Sequence, residues 1–412
     1  MADSRQSSKR DCILNMIHHL GPISRTELIE LTDYRPATVS EIIKELMDEG
    51  LVVESGHVSS GLGRKRVMLE IHYSRICAIS IAITAQSVIY VAAQLNGEIL
   101  RKLEVSVDPA LPKLQLSEQI AGQLQGLLAE FADKEIVGIG ICEPFYDPAR
   151  YRSDDPELHG HAQFNRWIHQ DLKQRLDAIS GKHTQIFSPV ILPVVAEQRY
   201  GTARDAQNFI CVELSNGIGA SICCNGRPVA GAHGVAGELG HTVIDSSSLD
   251  APLCYCGKPG CVERTTAFPA LQAQIQSALD RGVVSVLRGC GALTVQQVRR
   301  ALDAGDRMCR HYVKEAAVRL GAAIANAVNL LNPELVVLYG FMLELGEYFL
   351  QNLELSIREN TVLLAGDFRI CTTSSMENLL PLGAVAELFT TYLKMDDYKW
   401  VYQLSLPEEN RA

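Results

Sequence analysis

Apolar residues recur every three to four positions between Asp11 and Leu20, placing Ile13, Leu14, Met16, Ile17 and Leu20 on one helical face. Gly21-Pro22 ends that run. Ser24-Arg25-Thr26-Glu27 then has the form of a capping box, in which the Ser24 hydroxyl and the Glu27 carboxylate satisfy each other's backbone N–H groups. It opens a short helix, Arg25 to Leu31. After a turn at Thr32–Arg35, Pro36 suits the first position of a third helix burying Val39, Ile42, Ile43, Leu46 and Met47. The period then drops to two. Leu51–Glu54 and Val67–Glu70 read as strands flanking a Gly- and Ser-rich tip, Ser55–Arg66. Three short helices and a two-stranded ribbon predict a winged helix-turn-helix over residues 1–70. Its third helix would enter the major groove by its N-terminal end.

Arg35, Ala37, Thr38, Ser40, Glu41 and Lys44 are exposed on that helix. Of these, Arg35, Thr38, Ser40 and Lys44 are candidate DNA contacts, because hydroxyls bond phosphates or base edges and an ammonium suits phosphate. Arg64, Lys65 and Arg66 in the tip are candidates for the minor groove or adjacent phosphates. Residues 1–70 hold nine Lys and Arg against eleven Asp and Glu. Charge alone therefore leaves open a three-helix interaction module that never touches DNA.

From Ile76 onward strands, glycines and helices alternate. Ile76–Ala82 and Val88–Leu95 form a predicted hairpin, with Asn96-Gly97 as the next turn. A helix over Leu116–Phe131 and a strand over Ile136–Ile141 follow, and a second strand set is expected from about Gln185. Phe209–Glu213, Gly219–Cys224 and Leu335–Leu338 are further strands. A long helix runs from about Asp306 to Leu331, and a last one starts near Leu382. Two similar halves of this kind predict an α/β, two-lobed actin-like (ribonuclease H-like) ATPase fold with a cleft between lobes.

The uncharged run Cys77–Asn96 is about long enough to span a bilayer, but its Ser, Thr and Gln residues and its β-branched content fit two buried strands. The polar first ten residues lack the apolar core of a signal peptide. A soluble, cytoplasmic protein without membrane contact is expected. Twelve cysteines without an export signal imply buried thiols and one metal site rather than a disulfide framework. A net charge of −10 argues against non-specific nucleic-acid binding by the whole body, though not against a small DNA-reading module.

Gly231-Ala-His-Gly-Val-Ala-Gly-Glu-Leu-Gly-His241, followed by Cys254-x-Cys256-x4-Cys261-x-Glu263, closely resembles the ROK family of repressors, open reading frames and kinases. An N-terminal winged helix joined to such a body resembles its repressor branch, of the N-acetylglucosamine-repressor and Mlc type. The resemblance implies a ROK domain over residues 76–400. Its first lobe would be 76–187 plus the C-terminal helix, and its second 188–378. His241, Cys254, Cys256 and Cys261 make a closed Cys3His set that suits one structural zinc per chain. Three reduced thiols in a loop are the alternative. Glu238, His241 and Glu263 resemble the family's sugar-contacting residues.

The parts of a phosphoryl-transfer site depart from the family pattern. Ser80 stands in place of an Asp, and Ala82 and Ile83 in place of Gly. Ser188-Pro189-Val190-Ile191 has no carboxylate for the base that would deprotonate the sugar hydroxyl. The glycine loop reads Ser215-Asn216-Gly217-Ile218-Gly219-Ala220-Ser221, and the late one has become Tyr339-Gly340-Phe341. Phosphate needs close backbone approach, which these changes spoil. Cys142-Glu143-Pro144 replaces a Pro-Gly, and Asn165 and Trp167 lie where the first lobe would border the cleft.

The expected protein is no enzyme but a DNA-binding regulator, a repressor of carbohydrate-metabolism genes. It would bind a double-stranded operator as a homodimer or tetramer and respond to a sugar, a sugar phosphate or a regulatory protein. A sugar kinase with an appended DNA-binding domain is the enzyme alternative. A scaffold that binds only protein is the third.

Overall fold

The computed structural model describes residues 2–58, 66–84, 87–108, 111–142, 167–244, 252–362, 367–373 and 376–394. The chain divides into two compact units: Met1–Pro144 with Arg166–Phe187 and Ala384–Ala412, and Phe145–Asn165 with Ser188–Gly383.

The first unit begins with α1 (Ala2–Leu20), β1 (Ile23–Ser24), α2 (Arg25–Thr32), α3 (Pro36–Asp48), β2 (Val52–Val58) and β3 (Arg66–Ile71). Ile13, Met16, Ile17, Leu28, Val39 and Ile43 are all fully buried between these helices. Met47, expected in that core, is only half-buried and instead offers its sulfur to Arg25 at 3.8 Å. The capping box forms: the Glu27 N–H donates to Ser24 Oγ at 3.3 Å and the Ser24 N–H to Glu27 Oε2 at 2.8 Å. Pro36 does start α3. The strands join in the antiparallel order β1-β3-β2. Helix α1 starts nine residues before the predicted Asp11, and β1 was not expected at all.

α1 is seated at its middle. Asn15, fully buried, donates from Nδ2 to Asp11 O at 3.1 Å and to Leu393 O. Asp11 in turn pairs with Lys394 Nζ at 2.6 Å. Arg10 pairs with Glu45 at 3.5 Å and with Glu49.

The same unit holds a five-stranded sheet in the order β6-β5-β4-β7-β8. β4 (Ile76–Ile83), β5 (Ser87–Gln94) and β6 (Ile99–Ser106) are antiparallel; β7 (Glu135–Cys142) and β8 (Thr184–Phe187) run parallel to β4. All eight residues of β4 are buried, which accounts for its uncharged run. Among the described residues no helix is long and apolar enough to cross a membrane. α4 (Lys113–Glu130) connects β6 to β7, and a π-helical turn at Trp167–Leu172 leads into α5 (Lys173–Ser180) before β8. The strand expected to open the second set near Gln185 is β8, and it completes the first sheet instead: Ile139 pairs with Thr184 and Ile141 with Ile186. Trp167 is buried and donates to Ser117 Oγ at 2.7 Å, so it is a core aromatic; Asn165 and Glu143 lie outside the described residues.

The second unit holds a sheet in the order β11-β10-β9-β12-β13, comprising β9 (Phe209–Leu214), β10 (Ile218–Cys224), β11 (Arg227–Pro228), β12 (Leu335–Tyr339) and β13 (Arg369–Thr372). β9 and β10 form an antiparallel hairpin, and β12 lies parallel to β9 and β13. The helices of this unit are α6 (Leu192–Tyr200), α7 (Val262–Thr266), α8 (Phe268–Asp280), α9 (Val295–Asp303), α10 (Arg307–Leu331) and α11 (Glu347–Asn360); α12 (Met376–Tyr392) follows, its residues up to Gly383 counted in this unit and the rest in the first. Alternation along the strands sends Ile210, Val212, Val336 and Leu338 into one core with Leu320, Ile324, Phe349 and Leu353 of α10 and α11. Asp306 caps α10 by accepting the Cys309 N–H at 2.9 Å.

Candidate metal and ligand site

The segment after β11 returns to the hairpin and is held there by backbone. Ala220 N–H donates to Gly237 O at 2.8 Å, and Gly237 has φ +90°. A Cβ at that position would lie 1.8 Å from Ala220 O, so only glycine permits the approach. His241 follows on a short 3₁₀ turn, Leu239–His241. The cysteine loop is zipped to the same stretch: Ile244 N–H donates to Gly260 O at 3.0 Å and Val262 N–H to Thr242 O at 3.0 Å. Inside the loop Cys254 N–H donates to Lys258 O at 2.9 Å and Gly257 N–H to Cys254 O at 2.9 Å, which curls the chain around its thiols.

These constraints bring the four predicted ligands together. One ligand atom each from His241, Cys254, Cys256 and Cys261 lie within 4.8 Å of one another. Cys256 Sγ is 3.5 Å from Cys261 Sγ, and Cys254 Sγ is 3.5 Å from His241 Nδ1. A tetrahedral ion with bonds of about 2.0–2.3 Å needs ligand atoms roughly 3.5–3.8 Å apart. The donor set fits such an ion in size and in softness. Burial, with the neighbouring thiols adding, pushes the Cys261 thiol up to about 12, and burial also raises Cys254. Three thiolates crowded this closely repel one another, and a divalent cation removes that penalty.

The residues around the cluster form two short relays. His241 turns Nδ1 to the thiols and Nε2 towards Glu238, whose Oε2 is 3.7 Å away. Were Nδ1 to hold a metal, Nε2 would be left to carry the proton, facing the Glu238 carboxylate. Tyr255, between two of the cysteines, packs edge-on against His241 at 5.1 Å between ring centroids. Its hydroxyl donates to Glu263 Oε1, while Glu263 Oε2 accepts the Ile218 N–H at 2.9 Å. Glu263 is buried and spans from the cysteine loop to the β9–β10 turn; Glu238 is half-exposed. The Tyr255 link carried no signal in the sequence, because a tyrosine inside a cysteine motif belongs to no pattern.

A second carboxylate near this turn was also missed. Glu213 on β9 lies beside Gly219 and Tyr339 across the sheet. Burial pushes its carboxyl up to about 7, with the Glu263 charge adding and a hydrogen bond to Ser215 opposing.

The positions compared with a phosphoryl-transfer site are occupied by structural contacts. Ser80 is fully buried in β4 and donates to Val91 O at 3.4 Å. Just beyond residues 188–191, Glu197 on α6 is buried and accepts from the Thr202 N–H at 2.7 Å and from Thr202 Oγ1 at 2.9 Å, holding the end of that helix. Gly340, with φ +121°, admits Leu214 O into the space a Cβ would take, and Phe341 packs edge-on against Phe268 at 5.5 Å.

In the N-terminal region Arg35, Ser40 and Lys44 are exposed on or beside α3, and Thr38 is half-buried. Arg66 lies at the start of β3, 3.9 Å from Glu27. Arg64 and Lys65 lie outside the described residues.

The chain as a whole resembles known proteins. The sequence pattern of the ROK family matches residues 78–382. The xylose repressor of Caldicellulosiruptor bescii is 26% identical over 382 residues, covering 91% of this chain and 94% of that protein. The DNA-binding transcriptional dual regulator NagC of Escherichia coli is 25% identical over 389 residues, covering 91% and 90%. Among solved structures, a ROK family transcriptional regulator homologous to the E. coli Mlc protein superposes with a TM-score of 0.77 at 21% identity, covering 96% of this chain and 99% of that one. A ROK glucokinase from Streptomyces griseus, in complex with glucose and AMPPNP, gives 0.57 at 21% identity, covering 75% and 98%. The chain belongs to the ROK family.

Proposed function

We propose that the protein is a transcription regulator that binds a double-stranded operator through residues 1–70 and senses a sugar or sugar phosphate through a ROK domain over residues 76–400. The observation that carries the reading is the division of labour on α3. Its buried face, Val39, Ile42, Ile43 and Leu46, locks it into the module, while Arg35 and Ser40 are exposed at its N-terminal end and Lys44 further along it. That is the disposition of a recognition helix. Relatives matched over nine-tenths of the chain are named as a repressor and as a DNA-binding transcriptional dual regulator, which supports the same reading.

One zinc per chain, held by His241, Cys254, Cys256 and Cys261, would be structural, since four protein ligands leave no open position. When bound it supplies cross-linking charge, not catalysis. Glu238, His241 and Glu263 would meet the sugar hydroxyls, and Glu263 would exchange its Tyr255 hydrogen bond for one to the ligand. The ROK domain would carry out no phosphoryl transfer. Ser80 is committed inside a sheet, residues 188–191 offer no base, and the Ile218 N–H is already spent on a carboxylate. An ordinary two-fold dimer would set the helices about 34–36 Å apart or a multiple of it, and an effector would act by favouring one arrangement over another.

The test is binding of the purified protein to DNA upstream of its own gene and its neighbours. It is titrated at several salt concentrations, with and without pooled sugars and sugar phosphates. Saturable, sequence-selective binding altered by one pool is expected. Absence of selective binding, or magnesium-dependent ATP turnover with any sugar of the panel, would overturn the reading.

A further inference from the structure

A cavity of about 310 Å³ lies in the second unit, lined by Arg264, Arg281 and Tyr312 and by none of the four metal ligands. Three elements supply these groups. Arg264 comes from α7, Arg281 caps the end of α8, and Tyr312 lies on α10. Ser277 and Gln274 also face the cavity, from positions on α8 about one and two turns before Arg281. The rest of the wall is small and apolar, with Pro269 and Ala273 prominent.

The charges decide what fits. Among the described residues no Asp or Glu oxygen lies within 4.0 Å of either guanidinium, and Arg281 donates to Tyr312 OH at 3.3 Å. Among the described residues, then, two cations line one cavity without a carboxylate paired to either, in a chain whose net charge is −10. A guanidinium presents a planar fork of N–H donors, the geometry that matches phosphate oxygens. The volume stands at the low end of the range of about 300–1,000 Å³ for ligand sites, which favours a small molecule over a nucleotide. The apolar wall can cover a short carbon skeleton.

We propose that this cavity is an anion-recognition site for a compact organic phosphate, with Arg264 and Arg281 on the phosphate and Tyr312 and Ser277 as further hydroxyl partners. It is distinct from the proposed sugar contacts at Glu238 and Glu263, yet it is connected to the cysteine loop. Pro252 lines the cavity and its carbonyl accepts the Gly260 N–H at 3.3 Å, and Arg264 directly follows Glu263. Occupancy would therefore be felt at the cysteine loop. The inference holds whether or not residues 1–70 read DNA.

Isothermal titration of the full-length, metal-loaded protein tests it. The probes are inorganic phosphate, a panel of hexose and pentose phosphate monoesters, and the same sugars without phosphate. At least one monoester should bind more tightly than inorganic phosphate. Arg264→Gln and Arg281→Gln should each weaken that monoester roughly tenfold or more, the loss expected of one charged hydrogen bond. Arg264→Lys, which keeps the charge without the fork, should fall between. Metal content and thermal midpoint are checked in each variant, and binding of the unphosphorylated sugar should stay unchanged. The proposal is overturned if no monoester binds, if both Gln variants bind the monoester as tightly as the unsubstituted protein, or if inorganic phosphate binds as tightly as every monoester, an adventitious ion only.

Discussion

Cys256 is the least enclosed of the three cluster thiols, and hydrogen bonds from the Lys258 backbone and the neighbouring thiols outweigh its burial and hold it below the ordinary thiol range. It is the position at which a ligand can be removed with least damage to packing. Cys256→Ser should lower bound zinc from one per chain to well below it, measured by elemental analysis after dialysis. A variant that kept one zinc per chain would remove Cys256 from the ligand set. Glu213 gives a second test with a definite sign. Its folded carboxyl, at about 7, holds a proton that the unfolded chain sheds above its ordinary 4.5. Its contribution to stability is therefore fully present below that value and is lost as the pH rises through about 7, a swing of about 3 kcal/mol. Glu213→Gln should flatten the urea-denaturation midpoint between pH 5 and pH 8 and raise it at pH 8. An unchanged slope would show that Glu213 is solvated. The three cysteines were legible from their spacing, because a metal site demands fixed ligand types at short intervals, whereas His241 joined them through the family resemblance. Tyr255 and Glu213 were not, because their roles depend on what faces them across the fold.

At the scale of elements, sequence reading succeeded where one periodicity ran long enough to exclude the other. α3, β9, β10, β12 and α10 all stand where the pattern placed them, and the Ser24 and Pro36 signals marked helix starts by a local mechanism. Two residues carry no periodicity, so β1 was invisible, and its pairing of Ile23 with Leu69 is a tertiary event. The strand at Thr184–Phe187 was visible, but its sheet was not, since parallel pairing depends on a distant partner. The capping box is the element most exposed to test. Glu27 sits below the ordinary carboxyl range chiefly because the Ser24 side chain and backbone donate to it. Ser24→Ala should cost about 1 kcal/mol in chemical denaturation. A variant of unchanged stability would mean that solvent replaces the cap.

Across the whole molecule, charge opposes the proposed DNA contact and local arrangement favours it. A body with a net charge of −10 repels a polyanion at long range, so binding must rest on a few cations held close to it. Lys44 is exposed on α3. Lys44→Ala should weaken binding to all sequences alike and reduce the slope of log affinity against log salt by about 0.9, the release of one counterion. Loss of discrimination between sequences at unchanged slope would instead make Lys44 a reader of bases.

The seat of α1 sets a schedule for the newborn chain. Asn15 and Asp11 find Leu393 and Lys394 across 378 and 383 residues. At about 5–20 residues per second, a ribosome needs roughly 20–80 s between making the two ends of that contact. The first helix thus leaves the tunnel with its central amide bonded only to Asp11 O within the helix, and it acquires its second partner some 378 residues later. Termination between residues 48 and 393 would release a protein with every α3 side chain present but without the carbonyl that Asn15 reaches and the ammonium that Asp11 pairs with.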